Sequence, residues 1–271
     1  MPSPPHLSVI VITRNEVARL RRCLDSASFA DEVVVVDNGS TDGTVELARA
    51  LGARVVETTD WPGFGAQKNR ALDEARGQWV LSLDADEWLG DELALSVQAA
   101  LSGDAAPAGV AAYRFARLSS FCGQWMHHSG WYPDAVTRLF RRGSARFSDD
   151  LVHERLIVDG EVARLSGDLL HESMPTLTMA LDKLNRYSDG RARDLAARGR
   201  RGGLARAVGH GFWAFVRTYL LKRGFLDGRL GFVLAVYNAE TSYYRYLKIW
   251  LDAASSASSV ASSGPAGRTP S

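Results

Sequence analysis

Val80-Leu81-Ser82-Leu83-Asp84-Ala85-Asp86-Glu87 joins a short apolar run to two carboxylates one residue apart. Residues 79–83 are expected to form a buried strand. Asp84 and Asp86 then leave the sheet at its carboxyl end, where open α/β sheets bind ligands. Neighbouring carboxylates repel unless a cation sits between them. Hard oxygens of this kind suit Mg²⁺ or Mn²⁺ completed by substrate phosphates. The competing reading is an exposed acidic turn capping a helix that starts near Gly90. A D-x-D string alone does not choose between the two; the flanking chain does.

Upstream, residues 7–12 form a continuous apolar run, the pattern of a strand buried on both faces. Thr13-Arg14-Asn15-Glu16 follows, and Val17, Leu20 and Leu24 recur at helical spacing with Asn15 as the expected N-cap. Residues 33–36 make a second apolar strand. It ends in Asp37-Asn38-Gly39-Ser40-Thr41-Asp42-Gly43-Thr44, a turn signal that opens a helix through Ala50. Residues 54–57 are a third strand, and Gly63-Phe64-Gly65-Ala66-Gln67-Lys68-Asn69 opens the next helix. Strands alternating with helices of this length imply a mostly parallel sheet with flanking helices, an α/β fold. Downstream, strands are expected at 110–115, 136–140 and 162–165, with Trp125, His127, His128, Trp131 and Tyr132 in loops between them. From Met174 the pattern is helical, with Leu177, Leu181, Leu184 and Tyr187 on one face. From Ala253 the chain is Ser, Ala, Gly and Pro, a composition expected to be disordered. The expected organisation is a catalytic domain over 1–174, a helical region over 175–252 and a tail over 253–271.

Bulk composition narrows the classes. At 46% hydrophobic and 23% charged the chain is globular rather than disordered. Two distant cysteines, Cys23 and Cys122, with no C-x-x-C, argue against a disulfide framework or a zinc site. The Pro-rich start leads straight into a strand, so no signal peptide is expected. No 18-residue apolar run exists, and residues 212–221 are interrupted by Arg217, so the chain is not expected to span a bilayer. The net charge of +1 conceals an asymmetry: residues 1–174 carry 17 Lys+Arg against 25 Asp+Glu, and residues 175–271 carry 15 against 6. A basic C-terminal third points to an anionic partner or to complementation of the acidic half.

Chemistry collects at the strand ends. A carboxylate at Asp37 suits a ring N–H or ribose hydroxyl, and Gly39 lets backbone come close; a helix-capping turn explains the same residues. Gly63-x-Gly65 at a helix start is an anion site by helix dipole and free amides, with Gln67 and Lys68 able to add to it. The stretch fails as a dinucleotide fingerprint, because Lys68 stands where the third glycine belongs. A group-transfer enzyme also needs a base. Glu154, Asp149 and Asp150 are all eligible, close in sequence to Arg138, Arg141 and Arg142, and spacing does not choose among them.

Taken together, Val9–Glu16, Val35–Thr44, Gln67-Lys68-Asn69 and Leu83–Glu87 resemble family 2 glycosyltransferases of the GT-A fold. Gly130-Trp131-Tyr132-Pro133-Asp134, Arg138–Gly143, Val152-His153-Glu154, Lys183–Ser188 and Gly224–Gly228 resemble a narrower branch, the lipopolysaccharide-core β-1,4-glucosyltransferase type. The resemblance implies that Thr13, Arg14, Asn15, Glu16, Asp37 and Gly39 hold the nucleoside of a UDP-sugar. It implies that Gln67, Lys68, Asn69 and Asp84 line the diphosphate, and that Asp84, Asp86 and His171 carry Mg²⁺ or Mn²⁺. Glu154 matches the base best. Trp131, Tyr132 and Arg138 fall on the acceptor side. The implied reaction is inverting transfer of a hexose, glucose by the branch, to a lipopolysaccharide core or similar glycolipid. The implied place is cytoplasmic, peripheral on the inner membrane, through Trp213, Phe215 and the arginines of 191–201, with no nucleic-acid partner. The rivals are a polyprenyl-phosphate glycosyltransferase and a non-catalytic nucleotide-sugar-binding protein.

Overall fold

The computed structural model describes residues 6–102, 109–148 and 154–262, with side chains as far as residue 252. It divides into two compact units, Met1–Ser119 with Tyr132–Ser173, and Ser120–Trp131 with Met174–Ser271. The segment Ser120–Trp131 thus groups with the C-terminal unit, a crossing that a single cut at 174 does not contain.

In the first unit, β1 (Leu7–Thr13), β2 (Glu32–Asp37), β3 (Arg54–Glu57) and β4 (Trp79–Asp84) are parallel, in the order β3-β2-β1-β4. Further strands are β5 (Glu87–Leu89), β6 (Val110–Phe121), β7 (Gln124–Trp125), β8 (Asp134–Arg141), β9 (Ala145–Phe147), β10 (Leu156–Val158) and β11 (Glu161–Met174). The sheet continues from β4 through β8, β6 and β11 to β5, with β8 antiparallel to both β4 and β6. β9 and β10 form a separate hairpin.

The period-2 alternation of the strands explains their unbroken apolar runs. Val9, Val11, Val35, Leu81 and Leu83 point to one face. There they meet α1 (Val17–Ser26), α2 (Thr44–Ala50) and α4 (Asp91–Leu101) through Leu20, Cys23, Ala48, Leu93 and Val97. Ile10, Val34, Val36 and Val80 point the other way, onto Ala71 and Leu72 of α3 (Phe64–Glu74) and onto Phe140 and Phe147. A strand covered on both faces has no polar side to show.

Two local features differ from expectation. Asn15 is not the cap of α1: the N-cap is Glu16, without a side-chain cap. Asn15 instead adopts a φ of 58° and its Oδ1 accepts from the Thr41 amide at 2.8 Å, while Thr44 Oγ1 and Asp42 Oδ2 receive the Glu16 and Val17 amides. The loops after β1 and β2 therefore satisfy each other. Second, the helix expected near Gly90 begins at Asp91 with Gly90 as its N-cap, but an unexpected short strand stands between it and the acidic pair. Ala85 and Asp86 form a turn, and β5 returns antiparallel beside β11, with Glu87 opposite His171.

The second unit contains α5 (Leu177–Ala197), α6 (Leu204–Val216), a π-helical turn Arg217–Leu221, a short 3-10 turn Gly224–Asp227 and α7 (Gly228–Ser262). Phe121, Met126, Met174, Leu184, Leu234 and Tyr237 form its core. Thr176 caps α5 by accepting from the Met179 amide, and Lys248 on α7 reaches Asn185 Oδ1 at 2.7 Å and Ser188 Oγ at 2.8 Å. The face that α5 buries carries Ala180, Leu184, Ser188 and Ala192, whereas Leu177, Leu181 and Tyr187 are about half exposed. Small residues let the backbones of α5 and α7 come close, and that rotates the face away from the large apolar side chains. α7 continues as helix through Ser262, past the expected start of the tail at Ala253. Among the described residues, no helix is long and apolar enough to cross a membrane.

Gly65 has a packing role. A Cβ there would lie 1.9 Å from the Ser148 carbonyl oxygen. At an exposed helix position Gly→Ala stabilises by about 1 kcal/mol; here Gly65→Ala should destabilise by about 1–3 kcal/mol through overpacking. Urea denaturation measures this, and a stabilised variant would contradict the close approach.

Candidate active site

Three acceptor-bearing residues stand in a row because of register. Thr13 pairs with Asp37, and Ile12 with Asp84, so Asp37, Thr13 and Asp84 close β2, β1 and β4 side by side. Asp37 is buried. Its Oδ2 accepts from Thr13 Oγ1 at 2.8 Å and Ser40 Oγ at 2.5 Å, and its Oδ1 from the Ser40 amide at 2.8 Å. Thr13 thereby acts on the carboxylate rather than outward. Arg14, Asn15 and Gly39 are exposed at the rim, and Gly39 has a φ of 70°. Glu16 is half-buried. Burial pushes its carboxyl above the usual range, Arg19 at 3.0 Å opposes this, and the charge of Asp86 adds to it.

A chain of alternating charges runs behind this row. Asp134 accepts from Arg117 at 2.7 Å, Arg117 donates to Glu87 at 2.9 Å, and Arg138 donates to Glu87 at 3.1 Å and to Asp84 Oδ2 at 2.7 Å. Lys68 then donates to Asp84 Oδ1 at 2.9 Å and to Glu154 Oε1 at 3.0 Å. Glu87 is 0% exposed and Lys68 3%. Glu87 also accepts the Asp84 amide at 3.0 Å, which closes the turn. Such buried ions hold only when every charge is paired. Burial opposes the charge of Asp84, yet the Arg138 guanidinium and the Lys68 ammonium outweigh it and hold the carboxyl well below the usual carboxylate range. Arg138 stays charged by the converse balance: burial works against it, and Asp84 and Glu87 win.

On the turn beyond, Asp86 Oδ2 faces His171 Nε2 at 3.5 Å, and His171 Nδ1 is held by Ser119 Oγ at 2.9 Å. The pairing of β5 with β11, and the Glu172 amide on the Asp86 carbonyl, bring the two together. A carboxylate and an imidazole whose far nitrogen is pinned by a hydroxyl make a fitting two-point site for a divalent cation. Among the described residues, no three His, Cys, Asp or Glu side chains are grouped for a metal; an ion held here would need substrate oxygens and water as further ligands. Asp84, expected as a further ligand, has both oxygens on protein cations.

The other expected residues lie as follows. Only Lys68 of the Gln67-Lys68-Asn69 trio turns to the acids. Gln67 is buried and donates to Thr58 Oγ1 at 2.8 Å, while Asn69 clamps the Phe147 backbone from both sides at 2.9 and 3.0 Å. Consecutive helical residues point about 100° apart, so three in a row do not share a face. Arg138, expected at the acceptor, is buried behind Asp84. Tyr132 donates to Asp168 Oδ1 at 3.0 Å. Trp131 packs against Phe121 in the second unit, with ring centroids 6.0 Å apart. Asp149, Asp150 and His153 lie outside the described residues. Glu87 and Arg117 were missed as participants, although Glu87 stands in the opening motif. A separate cleft at the other end of the strands is lined by Asp31, Glu32, Arg54 and Arg76, but Glu32 and Arg54 are already paired with each other.

Comparison with known proteins places this geometry. The family model described as glycosyl transferase family 2 matches residues 8–155. A glycosyltransferase of Rickettsia prowazekii is 30% identical over 253 residues, 90% of this chain and 86% of that protein. The lipopolysaccharide core biosynthesis glycosyltransferase LpsC of Rhizobium meliloti is 30% identical over 255 residues, 90% and 92% of the two chains. The solved structure of Staphylococcus aureus TarS residues 1–349 in complex with UDP is 17% identical, covers 93% and 92%, and has a TM-score of 0.47. A mixed sheet whose parallel strands end in acids, a family model across more than half the chain and relatives matched over most of their length agree: the chain belongs to glycosyltransferase family 2, with the GT-A fold.

Proposed function

We propose that this chain is an inverting, metal-assisted hexosyltransferase that moves a hexose, glucose by the motif resemblance, from a UDP-sugar to a lipopolysaccharide core or similar glycolipid at the cytoplasmic face of the inner membrane. One observation carries the reading. Lys68 binds both Asp84 and Glu154, so a candidate base from a distant part of the sequence stands at the same strand end as the donor-side acids. The likeness to LpsC supports the acceptor class.

Asp37, fixed by Thr13 and Ser40, would accept from the nucleoside with the lone pairs those contacts leave. Asp86 and His171 are the protein ligands for Mg²⁺ or Mn²⁺. When bound, the ion supplies Lewis-acid neutralisation of the departing nucleoside diphosphate. Lys68 fixes Glu154 Oε1, leaving the second oxygen to take the proton of an acceptor hydroxyl as that hydroxyl attacks the anomeric carbon from the face opposite the leaving group. Atoms balance: the glycosidic bond to the acceptor forms, the bond to the diphosphate breaks, and the proton goes to Glu154. The negative charges of Asp84 and Glu87 are already met by Arg138 and Arg117, so the site keeps its shape before substrate arrives.

Glu154→Gln should lower sugar transfer by about 10²–10⁴-fold while leaving UDP-sugar binding within error, as read by calorimetry. Equal transfer in the variant would remove Glu154 as base. Ser119→Ala should weaken Mn²⁺ binding about 10–100-fold by releasing His171, measured by titration of the apoprotein in the presence of UDP; unchanged affinity would move the metal elsewhere. Acceptor class is read by supplying core oligosaccharide and polyprenyl phosphate side by side. Transfer to the lipid phosphate alone would favour the rival transferase, and donor binding without transfer to either would favour a binding protein.

A further inference from the structure

In the second unit, α6 and the π turn wear most of their large apolar side chains on the outside, whereas Phe215, expected at the membrane side, and Tyr219 are half-buried against Phe232. The residues turned inward are small: Ala207, Gly211, Ala214 and Thr218 are buried. Gly211 lets α7 come close, since a Cβ there would lie 3.2 Å from the Ala239 carbonyl oxygen. The residues turned outward are Val208 at 54% exposure, Phe212 at 69%, Trp213 at 54%, Leu220 at 53%, Leu221 at 61% and Leu226 at 53%. A helix in water buries such residues and shows polar ones. The reverse order, small residues at the helix contact and large apolar ones outside, is how helices pack when lipid is the solvent.

The charges around this face have one sign. Between residues 204 and 232 stand Arg206, Arg217, Lys222, Arg223 and Arg229, all exposed. The one acid in that stretch, Asp227, is buried, and its carboxylate is taken by Ser129 Oγ at 2.7 Å and by the His127 and His128 amides at 3.1 Å. A second copy of the chain would set these cations against one another. An anionic bilayer meets both halves of the pattern, with acyl chains for the apolar residues and phosphates for the cations.

We propose that the stretch from Leu204 to Leu226 is a monotopic docking surface that lies in the headgroup boundary of an anionic membrane. Phe212, Trp213, Leu220 and Leu221 enter the acyl region, and Arg217, Lys222 and Arg223 rest on lipid phosphates. The inference gives the proposed membrane placement a particular surface and in that respect rests on it. It is read without donor, acceptor or metal, so failure of docking and failure of transfer are separate results.

The test is flotation of the purified full chain with phosphatidylcholine vesicles, with and without phosphatidylglycerol, alongside tryptophan emission and quenching by brominated acyl chains. Binding to the anionic vesicles is expected, with quenching that disappears in Trp213→Phe. Joint replacement Phe212→Ser, Leu220→Ser and Leu221→Ser should weaken that binding at least about tenfold. Arg217→Glu with Lys222→Glu should remove the preference for phosphatidylglycerol. Circular dichroism and thermal melting check that each variant folds. No flotation at low salt, undiminished flotation of the folded serine variant, or a dimer that the same serine substitutions dissociate while vesicles go unbound would each overturn the proposal.

Discussion

The ion chain from Asp134 to Glu154, buried at Glu87, Arg138 and Lys68, is the constraint on which the catalytic unit depends. It crosses β8, β6, the β4–β5 turn and α3, and each link is 3.1 Å or shorter. No link is strong evidence of stability by itself, since taking ions out of water is costly. The chain's effect is positional. Removing one member takes a partner from each neighbour, and Lys68 in particular ties the acid at the end of β4 to the acid before β10. Preorganised charge of this kind is what a transfer reaction uses when charge builds on a leaving diphosphate.

The geometry divides the acids at the strand end by role. Glu87 is structural: wholly buried, it closes the turn and anchors two arginines. Asp84 orients Lys68 and Arg138. Asp86, one turn residue further on, is left facing His171, and Glu154 is left with one oxygen beyond its contact with Lys68. Three carboxylates within four residues therefore do three different things, and the difference lies in their partners.

How much of this is legible in the sequence follows from what each signal measures. β1, β2 and β4 are plain because strands covered on both faces carry unbroken apolar runs. The acidic ends of those strands are plain because carboxylates seldom follow such runs without purpose. β5 is hidden: Glu87-Trp88-Leu89 is three residues long and begins with a charge. The burial of Glu87 is hidden too, because its partners Arg117 and Arg138 arrive from strands far along the chain. The division of Gln67, Lys68 and Asn69 was available in principle from helical geometry, which puts neighbours on different faces. The outward face of α6 inverts the usual amphipathic rule, which periodicity alone does not reveal; on α5 the expected stripe is rotated, with Leu184 buried and Leu177, Leu181 and Tyr187 about half exposed.

The central claim is that Lys68 acts on transfer through Glu154. The direct measurement is the transfer rate of Lys68→Met, Glu154→Gln and the double variant, each shown to be folded and to bind donor. Residues that work as one unit lose activity non-additively, so the double variant should be about as slow as Glu154→Gln alone. Losses that multiply would show that the lysine and the glutamate act independently, and the account would fail.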